Sequence, residues 1–487
     1  MGTESTDTTG AYSAEKISRR FWWVVATLVI AEFTCALGSN MITSALSKLY
    51  GIYGDPAHVT WLITAYTLTS AATVAICSRL GDLYGRRRLL ILMLLFAAGG
   101  SVVSAVAHDL NVIILGRAIQ GASVAVLPLA FGILREAAQN RKELNVGVGM
   151  LGGTFSFSTG IGILMGGVIV DYAPWQAIFI VTTITAIGAI ALAWTFLPKD
   201  KPRVVDGKLD LIGGLFVVVP IAALLLGLNS GKAEGWNSPQ TLGLFLGGAV
   251  GLVGWVIYEL RLAEPMIDLR LLRTPQIAIV NLMICTTAMA PMIYPQVLMP
   301  LLQQPVWTGV GLGMAATMAG FVKLPTNFTS GIAGIFSGFA AHRYTLRWIV
   351  ILATGANLLA WGLLIIWHDS VWSLVLASVL LISPAGTIMF GVAPGLIIDA
   401  TPPDRTSEAT GLTSVLRAIA SSVGSQLIAL CLATSMVSNA AGARFPDERA
   451  YLTTFIFVAV CSLVSFVFAV MIPKPGRGAV PAPVPAE

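Results

Sequence analysis

Ser78-Arg79-Leu80-Gly81-Asp82-Leu83-Tyr84-Gly85-Arg86-Arg87-Arg88 sets two glycines, an acid and a run of bases between two long apolar segments. The glycines permit a tight turn. An aspartate beside arginines at a helix junction can make ion pairs that form and break, and can act on helix dipoles. The flanking segments, 58–79 and 89–107, match the ~20 apolar residues that a helix needs to cross a hydrocarbon core of ~30 Å. Two membrane-length helices joined by a short basic turn make a unit that can be looked for elsewhere in the chain.

The composition extends that unit to the whole protein. Of 487 residues, 56% are hydrophobic and only 11% charged, with a mean hydropathy of +0.82, whereas a soluble domain carries about 25% charged residues. A soluble chain of this length would split into several domains, each needing a charged surface that is missing here. Lipid therefore replaces water over most of the surface.

Apolar runs of spanning length recur at 21–46, 58–79, 89–107, 111–134, 145–170, 175–197, 211–229, 241–259, 276–300, 311–340, 346–367, 371–398, 406–436 and 450–472. The expectation is an all-α membrane protein of about fourteen spans. The Ser/Thr-rich start, residues 1–20, is polar and ends in Lys16, Arg19 and Arg20, and the run beyond it is too long for a signal-peptide core, so no cleavage is expected. The Pro/Ala-rich end, 473–487, also reads as a disordered tail.

Basic residues stay on the cytoplasmic side of a membrane, so the loops give the orientation. Of the 29 lysines and arginines, Arg117, Lys323 and Arg417 fall within spans, and Lys48, Lys232, Arg444 and Arg449 lie in connectors on one side. All the rest lie on the other side, together with both termini, which are therefore expected to be cytoplasmic in a multi-pass cell-membrane protein. The net charge of +5 is a topology signal and not the footprint of a nucleic-acid partner.

Other classes find little support. Cys35, Cys77, Cys285, Cys431 and Cys461 lie in apolar runs without metal-site or disulfide spacing and read as small hydrophobes. His58, His108, His342 and His368 sit at span ends, and no phosphate-cradling loop is present. No cofactor, metal or catalytic residue is expected. Asn327-Phe328-Thr329 has the form of a glycosylation sequon but lies inside a span. A polytopic membrane enzyme would need convergent acids, histidines or cysteines. A channel or receptor is compatible with composition alone.

The stretch from Ser78 resembles the loop signature of the major facilitator superfamily, with Ser78 in place of the usual first glycine. In that family the loop latches the two halves of a transporter, which gives conformational control to Gly81, Asp82, Gly85, Arg86 and Arg87. Leu115-Gly116-Arg117-Ala118-Ile119-Gln120-Gly121 resembles the family's second signature, centred on a membrane-embedded arginine. Gly149, Gly162, Gly166 and Gly167 match glycines of the antiporter signature in the fifth span, where Ser158 replaces another glycine and Ile163 the proline. Trp175-Gln176-Ala177-Ile178-Phe179 is similar to the start of the sixth span, with Gln176 where arginine is usual. Asp210-Leu211-Ile212-Gly213 and Asp268-Leu269-Arg270-Leu271 fit the fourteen-span drug:proton antiporter branch.

The resemblance implies two six-helix bundles, 21–197 and 276–472, with two further helices in a linker region at 198–275, and a central cavity between the bundles. It implies a monomeric carrier of a small molecule and protons, a multidrug-type exporter or, alternatively, an importer of an organic or aromatic acid. That branch often carries an acid near Ala36-Leu37-Gly38-Ser39-Asn40, where this chain has Gly38. Glu32 is the acid near the middle of a span that takes its place. An ionised carboxylate is expensive in a low dielectric, so Glu32 either pairs or takes a proton. The first and fourth helices of the family line the cavity together, which would bring Glu32 near Arg117 as a proton-coupling pair or as a permanent ion pair. Lys323, in Gly320-Phe321-Val322-Lys323-Leu324-Pro325, points to an anionic ligand or else snorkels to an interface. Arg417, Tyr66, Gln120, Asn327 and Asn357 are further candidates for the substrate cavity.

Overall fold

The computed structural model describes residues 18–200, 216, 218–262, 268–290, 293–368, 370–401, 406–438 and 444–473. Residues 1–17 and 474–487 of the expected tails, and 201–215, 217 and 263–267 of the expected linker region at 198–275, lie outside them. Helices dominate: α1 (Arg19–Tyr53), α2 (Pro56–Tyr84), α3 (Arg86–Val106), α4 (Leu110–Gly121), α5 (Val126–Ala137), α6 (Arg141–Tyr172), α7 (Ala177–Phe196), α8 (Val218–Ala233) and α9 (Pro239–Arg261). They continue as α10 (Pro275–Met289), α11 (Pro295–Gln303), α12 (Ala316–Arg343), α13 (Leu346–Ile366), α14 (Val371–Ala377), α15 (Ser383–Ile398), α16 (Thr406–Leu432) and α17 (Glu448–Met471). Among the described residues, nine helical stretches are both long and apolar enough to cross a bilayer.

Local chemistry explains where these helices begin and break. α1 starts at the Ser18 side chain, which accepts from Phe21 N, and stops at Gly54, whose φ of 76° only glycine adopts at little cost. That stop carries α1 well beyond the end expected at 46. α2 begins with an Asp55 cap and Pro56 at its first position. The stretch expected as one span at 276–300 is two helices, α10 and α11, separated around Ala290, with Pro295 opening the second. A 3₁₀ turn, Ala122–Ala125, joins α4 to α5. A π-helical turn, Ser378–Ile382, leads into α15, where Pro384 removes a backbone donor.

Two further expectations need correction. The span expected from 311 begins only at Ala316, because Gly309 and Gly313 both hold positive φ and keep the approach irregular. The span expected to run to 436 ends at Leu432, and the chain then forms β1 (Met436–Ser438), paired antiparallel with β2 (Arg444–Pro446). The fold is therefore helical with one small ribbon. Phe445 of that ribbon is buried against Trp307, and Gln304 Nε2 donates to Pro446 O, so side-chain burial fixes a segment without helical periodicity.

The helices pack in two groups. In the first, α1 lies on α6 and α7, α3 on α4 and α7, and α2 on α4. In the second, α10 lies on α16 and α17, α12 on α15, and α13 on α15 and α17. α2 meets α16, and α6 meets α12, across the seam between the groups; α8 and α9 pack on each other at its edge. The contact of α6 with α12 needs glycine: a Cβ on Gly167 would sit 2.4 Å from Ala316 O. Gly166 does the same service against α1, where a Cβ would lie 2.4 Å from Met41 O, and Gly162 lies beside Asn40 and Leu37. Gly149 is in α6.

One end of the seam is tied by hydrogen bonds. Asp171, on the last turn of α6, accepts from Ala316 N at 3.0 Å and Thr317 N at 2.7 Å, and so caps α12. Gln426 Nε2 of α16 donates to Ala57 O of α2 at 3.3 Å, and Thr64 Oγ1 donates to Gln426 Oε1 at 3.3 Å. Thr67 and Ser422 hydroxyls lie 2.8 Å apart one turn further in.

Candidate functional site

Within the first group, Arg117 of α4 is 1% exposed and bonded on several sides. Its Nε donates to Leu62 O at 2.9 Å, and its Nη1 donates to Gly38 O at 3.2 Å and to Gln120 Oε1 at 2.7 Å. The Tyr66 ring lies beneath the guanidinium, 4.4 Å from the ring centre. Gln120 Nε2 donates in turn to the Ser101 hydroxyl on α3, so Gln120 orients Arg117 and faces the interior of its own helix group.

Glu32 of α1 is also buried, at 4% exposure. It stands six residues before Gly38, roughly 9 Å along the helix at 1.5 Å per residue. That separation keeps it outside the hydrogen bonds of Arg117. Its carboxyl has no hydrogen-bond or ion-pair partner among the described residues. The structure thus places both groups inside the protein and leaves the pairing between them unmade.

The second group holds a different arrangement. Lys323 of α12 is 3% exposed, with Nζ 3.7 Å from the centre of the Tyr294 ring. Tyr294 OH lies 2.8 Å from the Ser383 hydroxyl, which fixes the ring. Among the described residues, that ring is the partner of the ammonium. A lysine ammonium carries three donors, and the π face meets its charge without accepting them all. The ammonium is thus enclosed by the protein and not at its surface.

Asn327 follows Lys323 by one helical turn and packs on Gly160, where a Cβ would lie 2.6 Å from its Nδ2; that Nδ2 is buried and without a partner. Lys323 and Asn327 therefore share the face of α12 that meets α6. Arg417 lies exposed on α16. Asn357 meets another helix: Ser462 Oγ donates to its Oδ1 at 3.4 Å between α13 and α17.

At the opposite end of α2 the turn quoted at the outset is held by two acids from elsewhere in the chain. Arg86 Nη1 lies 3.0 Å from Glu136 Oε1 of α5. Asp200, just past α7, accepts from Arg87 N at 2.9 Å and Arg88 N at 3.1 Å, capping α3. Gly85, at φ 99°, leaves room for this cap, since a Cβ there would lie 2.3 Å from the Asp200 carboxyl carbon. Gly81 packs on Leu129 and Arg86. The Asp82 side chain lies outside the described residues.

Glu136, Asp171 and Asp200 were not anticipated from sequence. Asp171 did carry a signal, because an acid in the last turn of its own helix faces the negative end of the dipole, so it points to a partner elsewhere. No local pattern marks Asp200. Among the described residues no cluster of His, Cys, Asp and Glu could hold a metal.

A helical protein with several membrane-length helices, and with an acid and two bases buried between them, is a multi-pass membrane protein by class. Residues 28–425 match the Major Facilitator Superfamily, and the chain belongs to that family. It is 27% identical over 416 residues to multidrug resistance protein 3 of Bacillus subtilis (strain 168), covering 85% of this chain and 79% of that protein. It is 30% identical over 413 residues to multidrug resistance protein Stp of Mycobacterium tuberculosis (strain CDC 1551 / Oshkosh), covering 82% and 73%. For multidrug transporter protein MdtP of Bacillus subtilis the match takes in 70% of this chain and 62% of that protein, at 26% identity. The fold is similar to the crystal structure of nucleoside transporter NupG, with a TM-score of 0.64 over 94% of this chain and all of that one, at 11% identity. The family makes this chain a transporter and not an enzyme.

Proposed function

We propose that this chain exports a small organic molecule, in the manner of a multidrug exporter, by alternating access driven by protons. The observation that carries the reading is Glu32: a carboxyl buried in the middle of α1 with no described partner. A carboxyl in such a place binds a proton while enclosed and gives it up when water reaches it. Arg117 of α4 is the buried charge that this carboxyl meets when alternation brings the two together.

The same reading takes the chain as fourteen spans. The first bundle covers 21–197, the two extra helices lie within 198–275, and the second bundle covers 276–472. Residues 1–20 and 473–487 are cytoplasmic tails of a cell-membrane monomer. The end tied by Asp171 and Gln426 then faces outward, and the turn with Gly81, Asp82, Gly85, Arg86 and Arg87 is the inner latch, supported by Glu136 and Asp200. Gly149, Gly162, Gly166 and Gly167 form the helix-five motif along which α6 moves against its neighbours.

Glu32→Gln keeps size and hydrogen-bonding capacity but removes titration. In proteoliposomes with an imposed pH gradient this variant should lose gradient-driven accumulation to the no-gradient baseline while still exchanging substrate across the membrane. Undiminished accumulation would mean that the proton travels elsewhere or that the carrier is a uniporter. Inside-out and right-side-out vesicles, tested with aromatic acids, amphiphilic anions and cationic dyes, assign direction and substrate.

Lys323 favours a second reading of the cargo. An ammonium enclosed with little more than an aromatic face suits a carboxylate-bearing substrate, an organic or aromatic acid, better than a lipophilic cation.

A further inference from the structure

A cleft of about 720 Å³ opens where α1 begins, α3 begins and α7 ends, and its lining includes Arg19, Arg20, Trp23, Arg87, Trp194 and Lys199. Four cations meet there. Among the described residues, Asp200 beside Lys199 accepts from the backbone N–H groups of Arg87 and Arg88 and the buried Glu143 accepts from Ser18 N beside Arg19, so four cations face two acids and positive charge is in excess. Arg87 is held in place, since its Nη2 donates to Trp194 O and its guanidinium lies 5.8 Å from the Trp194 ring centre. Arg19, Arg20 and Lys199 are exposed and free to close on a ligand.

The walls of the cleft identify what kind of anion it suits. Trp23 and Phe196 stack at 4.7 Å with their planes 8° apart, and Trp23 and Trp194 are 47% and 69% exposed. Exposed tryptophans at helix ends mark the level of the lipid headgroups. From that level Leu95 of α3 and Ile184 and Ile187 of α7 continue outward-facing and apolar. The cleft thus offers cations at headgroup depth and a greasy track leading away from them, whereas a soluble anion would need only the cations.

We propose that this cleft binds the phosphodiester headgroup of an anionic phospholipid, with the acyl chains lying along α3 and α7. Basic pockets at helix ends are the membrane-protein form of such sites. The site stands whatever the carrier transports.

The test uses the full-length protein in phosphatidylcholine nanodiscs containing a small fraction of phosphatidylglycerol, with retained lipid counted by native mass spectrometry. The variant Arg19→Gln/Arg20→Gln/Lys199→Gln should bind phosphatidylglycerol about a hundredfold more weakly, at about fivefold per cation removed. The variant Arg19→Lys/Arg20→Lys should stay within about threefold of the parent, because the charge near the surface is kept. Equal retention of phosphatidylglycerol by the triple glutamine variant would overturn the proposal. So would equal retention of phosphatidylcholine by the parent, displacement of the lipid by inorganic phosphate or glycerol phosphate at matching concentration, or a loss in the lysine variant as large as in the glutamine variant.

Discussion

Two buried cations, each over a tyrosine ring, divide the interior of this transporter. Arg117 lies 4.4 Å from the centre of Tyr66, and Lys323 lies 3.7 Å from the centre of Tyr294. The likeness ends at the ring. Arg117 also spends three of its five N–H donors on Leu62 O, Gly38 O and Gln120 Oε1, and so ties α4 to α2 and α1. Lys323 has the ring alone among the described residues. A cation whose donors are satisfied by its own fold is framework, and one whose donors are not is available to a ligand.

Stability should separate the two most strongly. Arg117→Met leaves acceptors on three segments without their buried donor, and a loss of about 3 kcal/mol in unfolding free energy is expected. It would be read as a lower thermal midpoint and poorer recovery of monodisperse protein. Lys323→Met replaces a scarcely compensated ammonium with an apolar chain of similar length, so stability should change by less than about 1 kcal/mol or rise. If Lys323→Met proves the more damaging, the lysine is framework too and the comparison fails.

Ligand binding should separate them in the other sense. Lys323→Met is expected to weaken binding of carboxylates about tenfold to a hundredfold, the range for a hydrogen bond to a charged group. Neutral analogues of the same shape should change by less than about threefold. Cationic dyes that bind better than carboxylates, together with unchanged carboxylate affinity in Lys323→Met, would return the cargo to the cations that Glu32 selects.

The two cations also differ in how legible they were. Arg117 stands in Leu115-Gly116-Arg117-Ala118-Ile119-Gln120-Gly121, a run whose glycines and glutamine could be read before any fold was known. Gly116 indeed meets α3 so closely that a Cβ would lie 2.7 Å from Gly100 O. Lys323 could be read as a charge inside an apolar run, but its ring partner could not, because Tyr294 lies in the break between α10 and α11 that the continuous apolarity of 276–300 conceals. Hydropathy reports what lipid tolerates, not where a helix stops. For the same reason the seam was invisible: Asp171 to Ala316 and Thr64 to Gln426 join residues far apart in the chain, and even the misplaced acid Asp171 gives no sign of which segment it caps. Asn357 shows the converse case, an amide read from its place in a span whose partner, Ser462 of a neighbouring helix, carries no local mark.

The smallest effect tests whether the ring beneath Lys323 acts through its face or through its hydroxyl. Tyr294→Phe keeps the π face and removes the contact with Ser383, so about 1 kcal/mol of stability should be lost with little change in carboxylate affinity. Tyr294→Leu removes the face as well, and a desolvated cation–π contact is worth about 2 kcal/mol. Without the ring, the ammonium depends more heavily on an incoming anion, so the apo protein should be the less stable of the two variants while added carboxylate raises its thermal midpoint by more than it raises that of the parent. At Tyr66 the same pair of substitutions should give no such ligand rescue, because Arg117 retains its three hydrogen bonds without the ring. Carboxylate rescue at both tyrosines, or at neither, would erase the distinction between a framework cation and an available one.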